Sequence, residues 1–251
     1  EKEFLGHTGN FGGEEIVDII LSKPATAGFI ARHLYSFFVA DEHQVPAWSV
    51  TPPKDPEAVQ AIADVLIDTD YNMGEALRFI LLSDFFKEAQ FAKVKNPTEV
   101  VIGTLRLVGD TDRVSPKTME WCIDITNMGQ DLMNPPSVEG WHSGIEWINS
   151  GTLMKRTNFT AELISEYSRP GVVSIMNRVK AAGTAPEAVI DACLDVMGPL
   201  EIPAEARQEL IDHAASLGPI DWSDESASDG GAARVSELIQ LIVALREYQF
   251  A

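Results

Sequence analysis

At Asp55-Pro56, Asn96-Pro97 and Ser115-Pro116 a helix-capping side chain stands directly before a proline and ahead of apolar residues at helical spacing. A capping oxygen accepts from the free N–H groups of a first helical turn, and proline fits that turn because its missing N–H needs no partner there. Asn96 is followed three residues on by Glu99, the spacing of a capping box. Val100, Val101, Thr104, Leu105 and Val108 then fall on one stripe, which predicts an amphipathic helix over 96–108. The same spacing predicts helices over 14–22, 25–40, 56–68, 74–88, 117–129, 151–167, 172–182, 187–197, 204–216 and 232–249. Strand-type alternation is nowhere sustained. The fold class is therefore all-α, an irregular multi-helix bundle with one long Gly/Pro/Trp-rich loop.

With 251 residues, 45% of them hydrophobic, the chain can bury a sizeable core. Arg169-Pro170-Gly171 interrupts the helical pattern and suggests two parts, 1–169 and a C-terminal helical subdomain, 170–251, packed on it. The segment "PIDWSDESASDGG" at 219–231 has the composition of a solvated loop.

Charge narrows the function. The 38 acidic against 19 basic residues give a formal net charge of −19, which repels phosphate backbones, so no nucleic-acid partner is expected. No window reaches the roughly 18 apolar residues of a bilayer-spanning helix, so no membrane span is expected. The first residues, "EKEFLGHTGN", show no signal-peptide pattern. Cys122 and Cys193 form no C-x-x-C pair; two buried thiols or one long-range disulfide both fit.

Chemical motifs are sparse. "DTDYNMGEALRF" at 68–79 begins like a calcium loop, but its glycine is one place late and Phe79 stands where the bidentate glutamate belongs. Asn72 as a helix cap explains the stretch better. His7, His33, His43, His142 and His213 show no ligand spacing, so no metal site is expected. His33 reads as a helix-flank residue with one hydrogen bond, on a helix whose Phe29, Ile30, Leu34, Phe37 and Phe38 face the core. "LGHTGNFGGEEIVDII" at 5–20 is a glycine-rich turn into a helix, but Glu14 and Glu15 oppose an anion there. Asp221 and Asp224 lie in the acidic loop without an apolar pocket to shift a pKa.

The stretch "MGQDLMNPPSVEGWHSGIEWINSG", 128–151, is different in kind. Pro135-Pro136 should stop a helix and hold 134–137 extended. Gly140 and Gly144 permit tight turns about Trp141 and His142, and Ile145, Trp147 and Ile148 suggest a short helical turn with an apolar inner side. Each indole can bury about 200 Å² and anchor the loop. The polar groups of Gln130, Asn134, Asn149 and Ser150 then either bond within the loop or line a pocket.

"FLGHTGNFGGEEIVDIILSKPATAGFIARHLYSFFV", "VKNPTEVVIGTLRLVG" and "MGQDLMNPPSVEGWHSGIEWINSGTLMKR" together resemble the bacterial family called domain of unknown function 1800. The resemblance implies that 1–169 is the family's core helical domain, the C-terminal part of a longer domain. It also implies an exported protein of the periplasm or cell surface, with a sulfatase-like envelope protein as partner. It implies no activity and no cofactor. Two readings stay open: a non-catalytic structural or protein-interaction module, or an enzyme or ligand- or metal-binding domain. In the second, a pocket between the 5–13 turn and the 130–150 loop would draw on His7, Asn10, Arg32, Gln130, Asn134, Trp141, His142 and Asn149.

Overall fold

The computed structural model describes residues 1–109, 116–198, 200–220, 222 and 230–250. Among these, two three-residue strands, β1 (Lys2–Phe4) and β2 (His7–Gly9), precede the helices α1 (Gly13–Leu21), α2 (Pro24–Phe38), α3 (Pro56–Asp68), α4 (Met73–Leu82), α5 (Asp84–Glu88) and α6 (Pro97–Val108). Then follow α7 (Thr118–Asn127), α8 (Ser150–Ile164), α9 (Pro170–Ala182), α10 (Pro186–Met197), α11 (Ala204–Ser216) and α12 (Gly231–Ala244). Short 3₁₀ turns lie at Val45–Ser49, Gly144–Trp147 and Glu247–Gln249. The architecture is all-α. Ser115, Asp221 and Asp224 lie outside the described residues.

The helix starts follow their caps. The carboxylate of Asp55 accepts the Ala58 N–H at 3.0 Å. Asn96 accepts from the Glu99 N–H at 2.9 Å, while Glu99 accepts the Asn96 N–H at 2.7 Å, the reciprocal bonds of a capping box. Asn72 accepts from Gly74 and Glu75, so "DTDYN" is a helix start. Two expectations change. The predicted 74–88 helix breaks at Ser83, whose hydroxyl accepts the Phe86 N–H and begins α5. The opening residues pair as an antiparallel hairpin, with Lys2 opposite Gly9 and Phe4 opposite His7.

The chain forms two compact units, 1–93 and 94–251. In the first, α2 packs on α3, α3 on α4, and α1 on α2. Ala27, Ala31, Tyr35, Val59, Ile62, Leu66, Ala76 and Ile80 form its core. The small residues of α2 face that core, whereas Phe29 and Phe37, expected inside, are exposed. Ile30, Leu34 and Phe38 pack against the same core from its edge.

In the second unit, α8 packs between α6 and α12, and α10 packs on α9, α11 and α12. Val101, Leu105, Ile164, Val172, Ile190, Leu238, Ile239 and Ile242 lie at its centre. Gly171 is there because nothing larger fits: a Cβ on it would stand 2.1 Å from the Leu107 carbonyl oxygen. The centre also holds Arg156, which is fully buried. Its Nη1 donates to the Lys95 carbonyl at 2.7 Å, while Nε and Nη2 have no partner among the described residues. Burial lowers its pKa to about 10, against the opposing pull of Glu99. Lys95 joins the two ends of the unit. Its N–H donates to the Gln249 carbonyl at 2.9 Å, its Nζ donates to the Tyr248 carbonyl at 2.7 Å, and the ammonium lies 4.4 Å from the Tyr248 ring centre. Val94 and Phe250 pair beside it as an isolated bridge.

Candidate functional site

The 130–150 loop of the second unit is fastened at both ends. The side-chain oxygen of Gln130 accepts from the N–H of Thr98 at 3.0 Å and from its hydroxyl at 2.7 Å, so the loop's entrance is tied to the start of α6. Asn149 caps α8, accepting from Gly151 and Thr152 at 2.9 and 3.0 Å, and the Thr152 hydroxyl accepts the Asn149 N–H in return. Just before that cap Trp147 is buried. An amide and an indole thus fix the loop where it leaves and rejoins the helices.

Between these anchors the chain makes a turn over 131–134, closed by the Asn134 N–H on the Asp131 carbonyl at 3.1 Å. A second turn over 137–140 is closed by the Gly140 N–H on the Ser137 carbonyl at 3.1 Å. Pro135-Pro136 link them, so the expected straight run is confined to the link. The Asn134 side chain donates to the Asp131 carboxylate at 2.8 Å. Gly140 and Gly144 have φ of +91° and +67°, the left-handed turns that set Trp141 in place. Trp141 is half-buried and its Nε1 has no partner among the described residues. His142 Nδ1 is hydrogen-bonded to the Glu146 carboxylate. Ile145, expected inside with Trp147, is exposed because the 3₁₀ turn points only the indole inward.

The tip is apolar and open. Met133 is 95% exposed and Val138 fully so, and Leu132 and, further on, Ile145 are also exposed. Met133 has φ +64°, a conformation that costs a non-glycine residue of order 1 kcal/mol. The exposure of its side chain is therefore maintained against both backbone preference and the hydrophobic effect.

The remaining candidates lie in the first unit. His7, on β2, shares a hydrogen bond of 3.2 Å with Lys23 Nζ, and Asn10 is exposed just after the strand. Lys23 lines a cavity of about 450 Å³ with Asp18, Ser22, Asp70 and Tyr71. Arg32 is buried in an ion pair: Nε and Nη2 donate to Glu42 at 2.9 and 2.7 Å, and the guanidinium also reaches the Thr51 and Pro52 carbonyls. Of the eight candidates, Gln130, Asn134, His142, Asn149, His7 and Arg32 each bond to a residue outside the set. The turn at 5–13 belongs to one unit and the loop at 130–150 to the other.

Residues matching the family described as "Protein of unknown function (DUF1800)" run from 1 to 250. The chain belongs to this family. No curated protein and no solved structure matches it.

The DUF1800 chain has a further feature that its sequence did not single out. Trp48, from the 45–49 turn, packs with Phe29 and His33, ring centres 4.6 to 5.7 Å apart, and the Arg32 guanidinium lies 4.6 Å from the Trp48 ring centre. His33 is therefore part of an aromatic cluster, and partial burial lowers its pKa. A cavity of about 380 Å³ opens beside this cluster, lined by Gly28, Phe29, Arg32, Trp48, Pro53, Pro56 and Gln60 among others. A signal was present: "QVPAWSVTPPKDP" sets a tryptophan among four prolines, a denser proline run than that of the 130–150 loop.

Proposed function

We propose that this DUF1800 chain is a non-catalytic interaction module, exported to the cell envelope, whose 130–150 loop is its docking surface. The family resemblance makes a sulfatase-like envelope protein the partner to test first. One observation carries the reading: the loop is pinned at Gln130, Trp147 and Asn149 yet holds Met133 and Val138 in solvent. Fully burying such side chains contributes roughly 1.5–3 kcal/mol each, so a rigid loop presenting two of them is built to be covered. The polar candidates around it serve the loop's own hydrogen bonds, which is what a preorganised docking element requires.

The test is the double variant Met133→Ser/Val138→Ser, compared with the parent protein by co-purification from envelope fractions. The expected outcome is loss of the partner with an unchanged melting temperature, since neither side chain is packed. Undiminished co-purification would overturn the proposal. A ligand-binding reading rests on a separate observation, the 380 Å³ aromatic cavity of the first unit, which is within the size range of small-molecule sites. Thermal stabilisation by one member of a metabolite panel, abolished by Trp48→Ala, would favour it.

A further inference from the structure

Resting on the docking reading of the 130–150 loop, we infer that its partner is a protein carrying an apolar groove rimmed by lysine and arginine. From Thr118 to Met154 the chain contains no lysine or arginine, while Glu120, Asp124, Asp131, Glu139 and Glu146 are acidic. Within that stretch the uncharged run 132–138 is bracketed by Asp131 and Glu139, so the exposed Leu132, Met133 and Val138 lie on a short segment with a carboxylate at each end. Among the described residues, the hydrogen bonds to Asp131 come from neutral groups, the Asn134 amide and the Thr126 hydroxyl. On α7, which leads into the loop, partial burial raises the Asp124 pKa, and Glu162 and Glu120 add to this against the pull of Lys155. Burial is the main cause there, so the acidic character that selects a partner is that of Asp131 and Glu139 beside the exposed apolar residues.

A convex apolar tip fits a groove, and its acidic flanks select the groove's rim. A second copy of the chain would bring the same acidic loop and a net charge of −19, and an anionic lipid surface would repel both. A basic rim complements the two carboxylates that these alternatives repel.

The experiment places the photo-crosslinking residue p-benzoylphenylalanine at Met133 of the full-length protein in the cells that make it, with Ile67, exposed in the first unit, as control. The cross-linked residue is mapped by mass spectrometry, and association with the purified partner is measured at low and high salt. The expected result is an adduct specific to position 133, on an apolar segment of another protein with lysine or arginine clustered within about 10 Å, one Debye length. Asp131→Asn/Glu139→Gln should slow association about 10-fold at low salt, with the difference vanishing at high salt. An adduct on a neutral or acidic-rimmed protein surface overturns the inference while leaving the docking reading intact. Adducts on a second copy, on lipid or within the same polypeptide overturn it too. No adduct above the Ile67 control overturns both.

Discussion

Gly171→Ala adds one methyl group where α9 crosses α6. The new Cβ would lie 2.1 Å from the Leu107 carbonyl oxygen, 2.5 Å from the Val108 carbonyl carbon and 2.8 Å from the Val108 Cα, where ordinary contact begins at 3.4 Å. All three are backbone atoms of a helix, so no side chain can rotate away. The helices must separate by more than about 1 Å, and Val101, Leu105, Val108, Val172 and Ile175 lose close packing as they do. Overpacking of this kind costs roughly 3 kcal/mol. In a unit of this size each kcal/mol lowers the melting temperature by about 2–4 °C, so calorimetry should record a fall of about 6–12 °C. Gly103→Ala is the matched control: it is also helical, is exposed and has nothing within 4 Å of the added Cβ. Removing glycine's unfolded-state freedom there should stabilise by about 0.5–1 kcal/mol. If Gly171→Ala melts within about 1 °C of the parent, the close crossing of α6 and α9 is wrong.

Gln130→Ala removes the acceptor of two Thr98 hydrogen bonds and should cost about 1–3 kcal/mol in urea denaturation, with faster proteolysis of the 131–140 turns. Equal protease sensitivity would show that the loop is not held there. Cys122 and Cys193 are both free. Burial pushes the Cys193 thiol up to about 12, so iodoacetamide at pH 8 should modify half-buried Cys122 in the native protein and Cys193 only after unfolding. Equal labelling rates would contradict this. Arg156→Met exchanges a buried charge with one hydrogen bond for an apolar chain of similar length. The melting temperature should hold or rise, because the desolvation of an unpaired guanidinium outweighs a single bond to Lys95. A loss above about 2 kcal/mol would reverse that balance.

Helices were legible where their signals are local. Predicted 56–68 and 204–216 coincide with α3 and α11, since caps, prolines and apolar stripes each act within a few residues. The hairpin at 2–9 was not legible: its turn uses Leu5 and Gly6 with φ of +47° and +83°, and leucine is not a residue whose presence announces left-handed backbone. On α2, Ile30, Leu34 and Phe38 meet the core as their spacing indicates, but Phe29 and Phe37 were misjudged, because the buried stripe also runs through the small Ala27 and Ala31. At the loop, composition identified the segment and the indole anchors. It did not reveal the inversion at its tip, where methionine and valine face water while Gln130 and Asn149 are spent on helix ends. Gln130 meets Thr98 32 residues earlier in the chain, a tie that no local pattern announces.

The clasp between Lys95 and Tyr248 spans 153 residues of chain. On a ribosome adding about 5–20 residues per second, Lys95 emerges roughly 8–30 s before its partners exist. The first unit meets no such delay, since its ties, such as Arg32 to Glu42 and Tyr71 to Leu21, close over 10 and 50 residues. During that interval α8 has no α12 to cover it, and the nascent second unit displays the apolar face that Leu238, Ile239 and Ile242 will later bury. Synthesis rate and chaperone access therefore bear on one half of this polypeptide far more than on the other.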